Sequence, residues 1–275
     1  MTRTRPELSA QVRALGVDRG DAVMLHASVR AVGPVLGGPD QIHEAVLAAV
    51  QPGGALMMYV GCPEGYEDVG GASPTREDEA RLRAELPTFD FRHARAARDF
   101  GALAEIFRSS PGTVCSEHVG ARMAARGDRA HWLVDAVPWD YGYGPGSPLA
   151  RLVDAGGKVL LLGSSHDHVT LLHFAEHVAD FEGKRLASYE APVRSSDGQR
   201  TWRRCEEFYT GSRGVHPAWP REFFRTIVDD FIAKAAPSQC RRGRIGDASS
   251  VVLCARSLVA HAIPIMEARA ATARA

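Results

Sequence analysis

Directly behind the apolar run Val159 to Leu162, the stretch from His166 to His177 packs four histidines, an aspartate and a glutamate into twelve residues. The run is β-type, Gly163, Ser164 and Ser165 form a polar turn, and Val169 to Val178 carries helical spacing, which predicts strand, loop and helix in succession. In open α/β sheets this is where ligands bind, at the carboxyl ends of the strands. On such a helix Thr170, His173 and His177 fall on one side, with Glu176 three residues beyond His173, while His166 and Asp167 occupy the preceding loop. Several titratable groups are thus expected to converge on one mouth, as metal or proton-transfer chemistry requires.

The rest of the chain sets this segment in an α/β protein. Ala22 to His26 and Ala55 to Val60 read as strands and Pro6 to Leu15 and Ile42 to Val50 as helices, the second ending before Pro52 and Gly53. The order strand, Gly-containing loop, helix, strand is the βαβ pattern of parallel pairing. Helices are also expected over Arg76 to Glu85 and Phe100 to Phe107. Gly61 to Ser73 is expected to be a functional loop, and Trp139 to Pro148, dense in aromatics and turn formers, a loop beside a pocket. A DG turn at Asp197 and Gly198 marks hairpin material between Ser188 and Trp219, and the Ala- and Arg-rich end from Ala268 is expected to fray. The expected fold is α/β, a layered α/β/α arrangement on a largely parallel or mixed sheet. A single domain over 1–275 is expected, with a hairpin-rich subregion at 188–219.

Composition excludes more than it selects. With 33 basic and 33 acidic side chains, nothing in the net charge points to a nucleic-acid partner. No apolar stretch approaches the roughly 20 residues of a membrane span, and MTRTRPELSA lacks a signal-peptide core, so a cytoplasmic location is expected. The five cysteines are scattered without a CxxC pair, as free thiols in a reducing compartment would be. From Glu64 to Asp90 eight acids face three arginines, a segment that would attract a cationic ligand.

Four constellations carry chemistry. In HASVRAVGPVLGG, His26 to Gly38, the small residues Ala27, Ser28, Gly33, Gly37 and Gly38 allow a phosphate or pantetheine chain to approach backbone amides, although the segment fits neither the P-loop nor the dinucleotide fingerprint. HDHVTLLHFAEH permits a metal site through its HxH and HxxxH spacing, or general-base catalysis by an imidazole that a carboxylate orients, with satisfied structural histidines as the alternative. SEHVGARMAARG contributes His118, which taken alone is more often structural than catalytic. In GCPEGYEDVGG, Glu64, Glu67 and Asp68 follow a strand and share its mouth, where carboxylates can hold ammonium groups.

Taken together the segments resemble the aminoglycoside 3-N-acetyltransferase family. MLHASVRAVGPVLGG matches that family's HSS segment with its Gly-rich turn, and PGGALMMY (Pro52 to Tyr59) matches PGGTLVMP. Cys62 to Gly71, Ser116 to Gly127 and Ser147 to Leu152 stand for its acidic loop, SxHP motif and SPxxRL element. The last motif, LLLGxGHDxxTxLHxAE, is matched at His166, Asp167, Thr170, Leu172, His173, Ala175 and Glu176. Ser164, Ser165, His168 and Val119 depart from the pattern.

The resemblance implies direct acetyl transfer from acetyl-CoA to the 3-amino group of an aminoglycoside, with no metal. His166, polarised by Asp167 or Glu176, is the expected base, with His173 second, and Thr170 is expected to hold the tetrahedral intermediate or CoA. His26, Ala27, Ser28, Val29, Gly33, Gly38, Ser110 and His118 are assigned to the cofactor arm, and Glu64, Glu67, Asp68 and Tyr141 to the substrate. Three alternatives stay open: the same fold acting on a different amine, a metallohydrolase ligated by His166, His168, His173 and Glu176, and a non-catalytic CoA or polyamine binder. A homodimer is likewise left open.

Overall fold

Ala22 to Leu25 is an unbroken apolar and buried run, so both faces of that part of the strand must be covered, which is the condition of a central strand between helical layers. The computed structural model, which describes residues 2–71, 75–195, 197–211 and 214–272, meets that condition. The first half of the chain supplies α1 (Arg5–Ala14), β1 (Ala22–Ala27), a short α2 (Val29–Val32), α3 (Asp40–Val50), β2 (Ala55–Tyr59), α4 (Arg76–Glu85) and α5 (Ala102–Ser109). Then come β3 (Val114–Cys115), β4 (Met123–Gly127), α6 (Ala130–Val134), α7 (Pro148–Asp154), β5 (Lys158–Leu162), α8 (Leu171–Val178), β6 (Leu186–Arg194) and β7 (Arg200–Phe208). The end of the chain supplies α9 (Phe223–Lys234), β8 (Cys240–Ile245), β9 (Ala248–Cys254) and α10 (Ala255–Thr272).

The main sheet runs β3-β4-β2-β1-β5-β9-β8. Parallel pairing is confined to its centre, where Met24 stands opposite Met57 of β2 and Val159 of β5, while both flanks are antiparallel, so the sheet is mixed. Alternation along the strands divides the core. Met24, Met57, Val159 and Leu161 pack with Leu152, Leu171, Leu172 and Leu258 on one side, and Val23, Leu25, Leu56 and Leu160 with Leu8, Val12, Val46 and Phe107 on the other. Each such side chain contributes about 1.5–3 kcal/mol of burial. The parallel strands β1 and β5 end together, Ala27 beside Leu162, and open the cleft described below.

β6 and β7 form a separate two-stranded arm. A free hairpin is marginal in water, and this one is held on a third apolar cluster that includes Cys62, Tyr66, Phe89, Val119, Trp139 and its own Tyr189 and Cys205. The expected hairpin is therefore present, spanning Leu186 to Phe208. The end of the chain departs from expectation: α10 continues to Thr272 with Met266 and Ala270 buried, so its contacts with the core outweigh its composition. The last two residues of the loop expected over Gly61 to Ser73 lie outside the described residues. Among the described residues no helix is long and apolar enough to cross a membrane.

One buried charge shapes the wall of the cleft. Arg122, wholly buried, donates to the carbonyls of Phe91 (3.0 Å), Gly61 (3.3 Å) and Ala94 (2.8 Å) and lies 5.5 Å from the Phe89 ring centre. It thereby pins an irregular segment whose continuation, Asp99 to Leu103, faces the cleft. Arg122→Met should lower unfolding free energy by about 2–4 kcal/mol in urea titrations, because the freed carbonyls stay buried without donors.

Candidate active site

The cleft encloses about 940 Å³ and is walled by the end of β1 (His26 to Arg30), the segment Gly163 to Ser165 after β5, the start of α8, Asp99 to Leu103, and the rings of Tyr59, Tyr143 and Phe224. Its location follows from the sheet, since the β1 and β5 ends leave a crevice that no strand closes.

His173 stands in the first turn of α8 and faces this space. Its Nδ1 lies 2.6 Å from Oε2 of Glu176, three residues on and fully buried. A carboxylate at Nδ1 fixes the hydrogen there and leaves the Nε2 lone pair directed away from the pair. Tyr143 packs on one side of the imidazole, ring centres 5.2 Å apart, and Phe224 lies 5.0 Å away. Tyr59 donates to the Gly120 carbonyl at 2.8 Å, so the 2.7 Å contact between the two tyrosine oxygens is a donation from Tyr143. Thr170 precedes α8 with its hydroxyl unused as a cap, and it lines the cleft.

His166 is placed differently. It occupies a single 3₁₀ turn, lies outside the cleft wall, and pairs through Nδ1 with Asp229 of α9 at 2.5 Å. Neither expected partner serves it: Asp167 is held by Arg225, with Nη2 at 2.8 Å and Nε at 3.0 Å, and Glu176 belongs to His173. His166 and Asp167 thus dock α9 onto the loop after β5 and bring Phe224 against the cleft. His168 lies 3.4 Å from Ser164, so of the four side chains of the metal reading His173 and Glu176 pair with each other while His166 and His168 take other partners. Among the described residues no group of three or more His, Cys, Asp or Glu side chains is arranged to hold an ion.

Of the residues assigned to the cofactor arm, His26, Ala27, Ser28 and Val29 line the cleft. Burial holds His26 down to about 3, hence neutral, with its Nε2 sealed and without a partner among the described residues. Ser28 also caps α2 through the Ala31 N–H at 3.3 Å. Gly33, Gly38, Ser110 and His118 are absent from the wall. Gly33 is required by its backbone, φ +82° at the end of α2, which L side chains rarely adopt. Ser110 donates to the Ile106 carbonyl at the end of α5. His118 is a buried strut between the Trp139 carbonyl and the Ala121 N–H, each at 2.9 Å, and burial pushes it down to about 4.

Glu64 and Asp68 lie at the surface away from the cleft wall. Glu67 is exposed and likewise absent from the cleft wall, and desolvation of its carboxyl by the surrounding protein raises its pKa above the usual carboxylate range. Cys62 Sγ donates to its Oε2 at 3.5 Å. Tyr141, backbone φ +55°, is committed to the arm through its hydroxyl, 2.5 Å from Glu206 Oε1. Asp99, Phe100, Tyr59 and Phe224 are wall residues that sequence reasoning did not single out.

A family model for aminoglycoside 3-N-acetyltransferases matches residues 24–267. The chain belongs to the aminoglycoside 3-N-acetyltransferase family. Aminoglycoside N(3)-acetyltransferase VIII of Streptomyces fradiae is 45% identical over 213 residues, covering 77% of this chain and 73% of the relative. Aminoglycoside N(3)-acetyltransferase III of Pseudomonas aeruginosa is 37% identical over 268 residues, 97% and 94% of the two chains. Among solved structures, AAC-IIIb in a binary complex with CoASH superposes with a TM-score of 0.90 at 42% identity over 98% of both chains. AAC-VIa bound to sisomicin gives 0.89 at 36% identity over 98% of this chain and 100% of that one. The chain is accordingly an acyltransferase.

His118 yields a test of the structural assignment. Its pKa in the fold lies below the 6.5 of a free imidazole, so between those values the unfolded chain binds the extra proton and stability must rise with pH. His118→Gln should reduce that slope by up to about 1.4 kcal/mol per pH unit in denaturation curves taken from pH 4 to 7, while His26 retains its own share.

Proposed function

We propose that this enzyme transfers the acetyl group of acetyl-CoA to the 3-amino group of an aminoglycoside, with His173 as general base and Glu176 as the carboxylate that orients it. The observation that carries this reading is the 2.6 Å His173–Glu176 contact on the cleft wall. An ammonium group must lose a proton before nitrogen attacks a carbonyl, and an imidazole whose Nδ1–H is locked on a carboxylate has the free lone pair for that task. His166 has a carboxylate partner too, but its pair is half exposed and off the wall. The base moves from the first candidate of the motif to the second for that reason.

The chemistry of the wall fits the co-substrate. The crevice between β1 and β5 is lined by the small residues Ala27, Ser28, Gly163 and Ser164, which let an extended pantetheine chain run close to backbone. His26, kept neutral by burial, supplies a polar ring there without a charge. Thr170, whose hydroxyl is unused by the helix, stands near enough to the same space to meet the oxygen that gains charge as nitrogen adds to the thioester. Collapse of that adduct returns the carbonyl and expels CoA thiolate, which takes up the proton that His173 removed, and the second proton of the acylated nitrogen leaves to solvent through the freed imidazole.

Aminoglycosides carry several ammonium groups, and Asp99 on the cleft wall is a carboxylate suited to meet one of them, with Glu67 outside the wall as a further acidic group. The flat faces of Tyr143 and Phe100 suit sugar rings. AAC-VIa, the similar structure named above, holds sisomicin.

Thiol release from acetyl-CoA should depend on added aminoglycoside, with the acetyl group on nitrogen 3 by NMR of the product; release without an aminoglycoside, or acetylation of another nitrogen, would overturn the assignment. His173→Gln should lower kcat by about 10²–10⁴-fold with little change in KM for acetyl-CoA, and His166→Gln by less than about tenfold.

A further inference from the structure

One turn beyond the base, both ring nitrogens of His177 face acceptors. Nδ1 lies 2.7 Å from the His173 carbonyl oxygen and Nε2 lies 2.6 Å from Glu207 Oε1. A backbone carbonyl only accepts, so Nδ1 carries a hydrogen. Glu207 Oε1 also receives the Phe208 N–H at 2.8 Å, and toward the ionised carboxylate Nε2 is a second donor. Both side chains are nearly sealed, 2% exposed for His177 and 9% for Glu207, and Oε2 of Glu207 has no partner among the described residues. A neutral imidazole would leave the negative charge of Glu207 uncompensated in that interior.

We propose that His177 is held as an imidazolium by Glu207, and that the pair is a positioning device for His173. The inference rests on the reading of His173 as the base. His177 lies outside the cleft wall and touches no reacting atom, so its effect must pass through what it holds. It holds three segments. On α8 it donates to the carbonyl of His173 itself. Across the arm it grips Glu207 at the end of β7, with the Phe208 ring centre 4.9 Å away. From the loop before α7, Gly144 approaches so closely that a Cβ would stand 2.8 Å from His177 Cδ2, and that loop carries Tyr143, the ring packed on His173.

The surrounding groups are consistent with one resident positive charge. Glu176 lies on the same helix, and Tyr141, tied to Glu206, faces the ring from the loop at 6.2 Å. The Lys184 ammonium is spent on the carbonyls of His177 and Ala179 at the end of α8, at 3.0 and 2.7 Å. Two buried carboxylates, Glu176 on α8 and Glu207 on β7, thus each have an imidazole from successive turns of α8, but only the Glu176 partner has a nitrogen left to accept a proton.

The test uses the full chain with ¹⁵N-labelled histidine. At about pH 7 the wild-type spectrum should assign protons to both nitrogens of His177. In Glu207→Gln the amide N–H donates to Nε2, so His177 should carry a proton on Nδ1 only, the tether is kept, and kcat should fall by no more than about threefold. His177→Leu removes the tether and should lower kcat by about 10–100-fold while KM for acetyl-CoA moves less than about threefold. A wild-type His177 with a bare Nε2, or a His177→Leu enzyme with kcat within about threefold of wild type, would overturn the proposal. The nitrogen signature is read without turnover, so a failure of His173 as base, seen as an active His173→Gln enzyme, is distinguishable from a failure of the His177 pair.

Discussion

Glu176 is a carboxylate with no exposed surface, and its 2.6 Å contact with His173 is the interaction on which the site depends. A buried charge of that kind persists only when a donor faces it, and the donor is the ring that lines the cleft. The arrangement fixes which nitrogen of His173 carries the hydrogen and keeps the other as an acceptor. Glu176 Oε1 has no partner among the described residues, so the carboxylate has no competing bond to draw it away from the imidazole. The i,i+3 spacing on α8 makes the contact local, and the tertiary structure is needed to seal it.

The scaffold supplies that seal and the space in front of it. Ending β1 and β5 side by side creates the cleft, and α8 follows β5 with His173 in its first turn. Docking of α9 through Asp167–Arg225 and His166–Asp229 brings Phe224 to the imidazole. The arm closes the opposite side by way of Glu207. Catalysis by positioning asks for such convergence, since an attacking nitrogen and a thioester must be held within van der Waals reach before a proton transfer has any use.

The sequence was most legible where chemistry is local. The strand, polar turn and helix from Lys158 to Val178 are present as expected, and the helical spacing places His173 over Glu176. The partner of His166 was illegible because Asp229 lies 63 residues away, on a helix with no motif to announce it. Asp167 looked like a partner because it is adjacent, yet a neighbour in the chain points elsewhere on a single turn and met Arg225 instead. Gly33 and Gly38 looked like a ligand cradle on composition, whereas the first takes the positive φ that ends α2 and the second faces open space. The antiparallel strands β8 and β9 were hidden by CRRGRI, an edge strand whose arginines face water, as edge strands require. Of the acidic loop, composition revealed the attraction for cations but not that the Glu67 carboxylate lies against Gly120 beside the Tyr189 hydroxyl, a contact between segments far apart in the chain.

Glu176→Gln tests the central claim most directly. The substitution keeps volume and places an amide where the carboxylate was, so an N–H can donate to His173 Nδ1 and drive the ring hydrogen to Nε2, the wrong tautomer for a base. Single-turnover acetyl transfer measured on folded protein should slow by about 10²-fold or more with acetyl-CoA binding retained. A Glu176→Gln enzyme that transfers acetyl within about threefold of the wild-type rate would contradict the account.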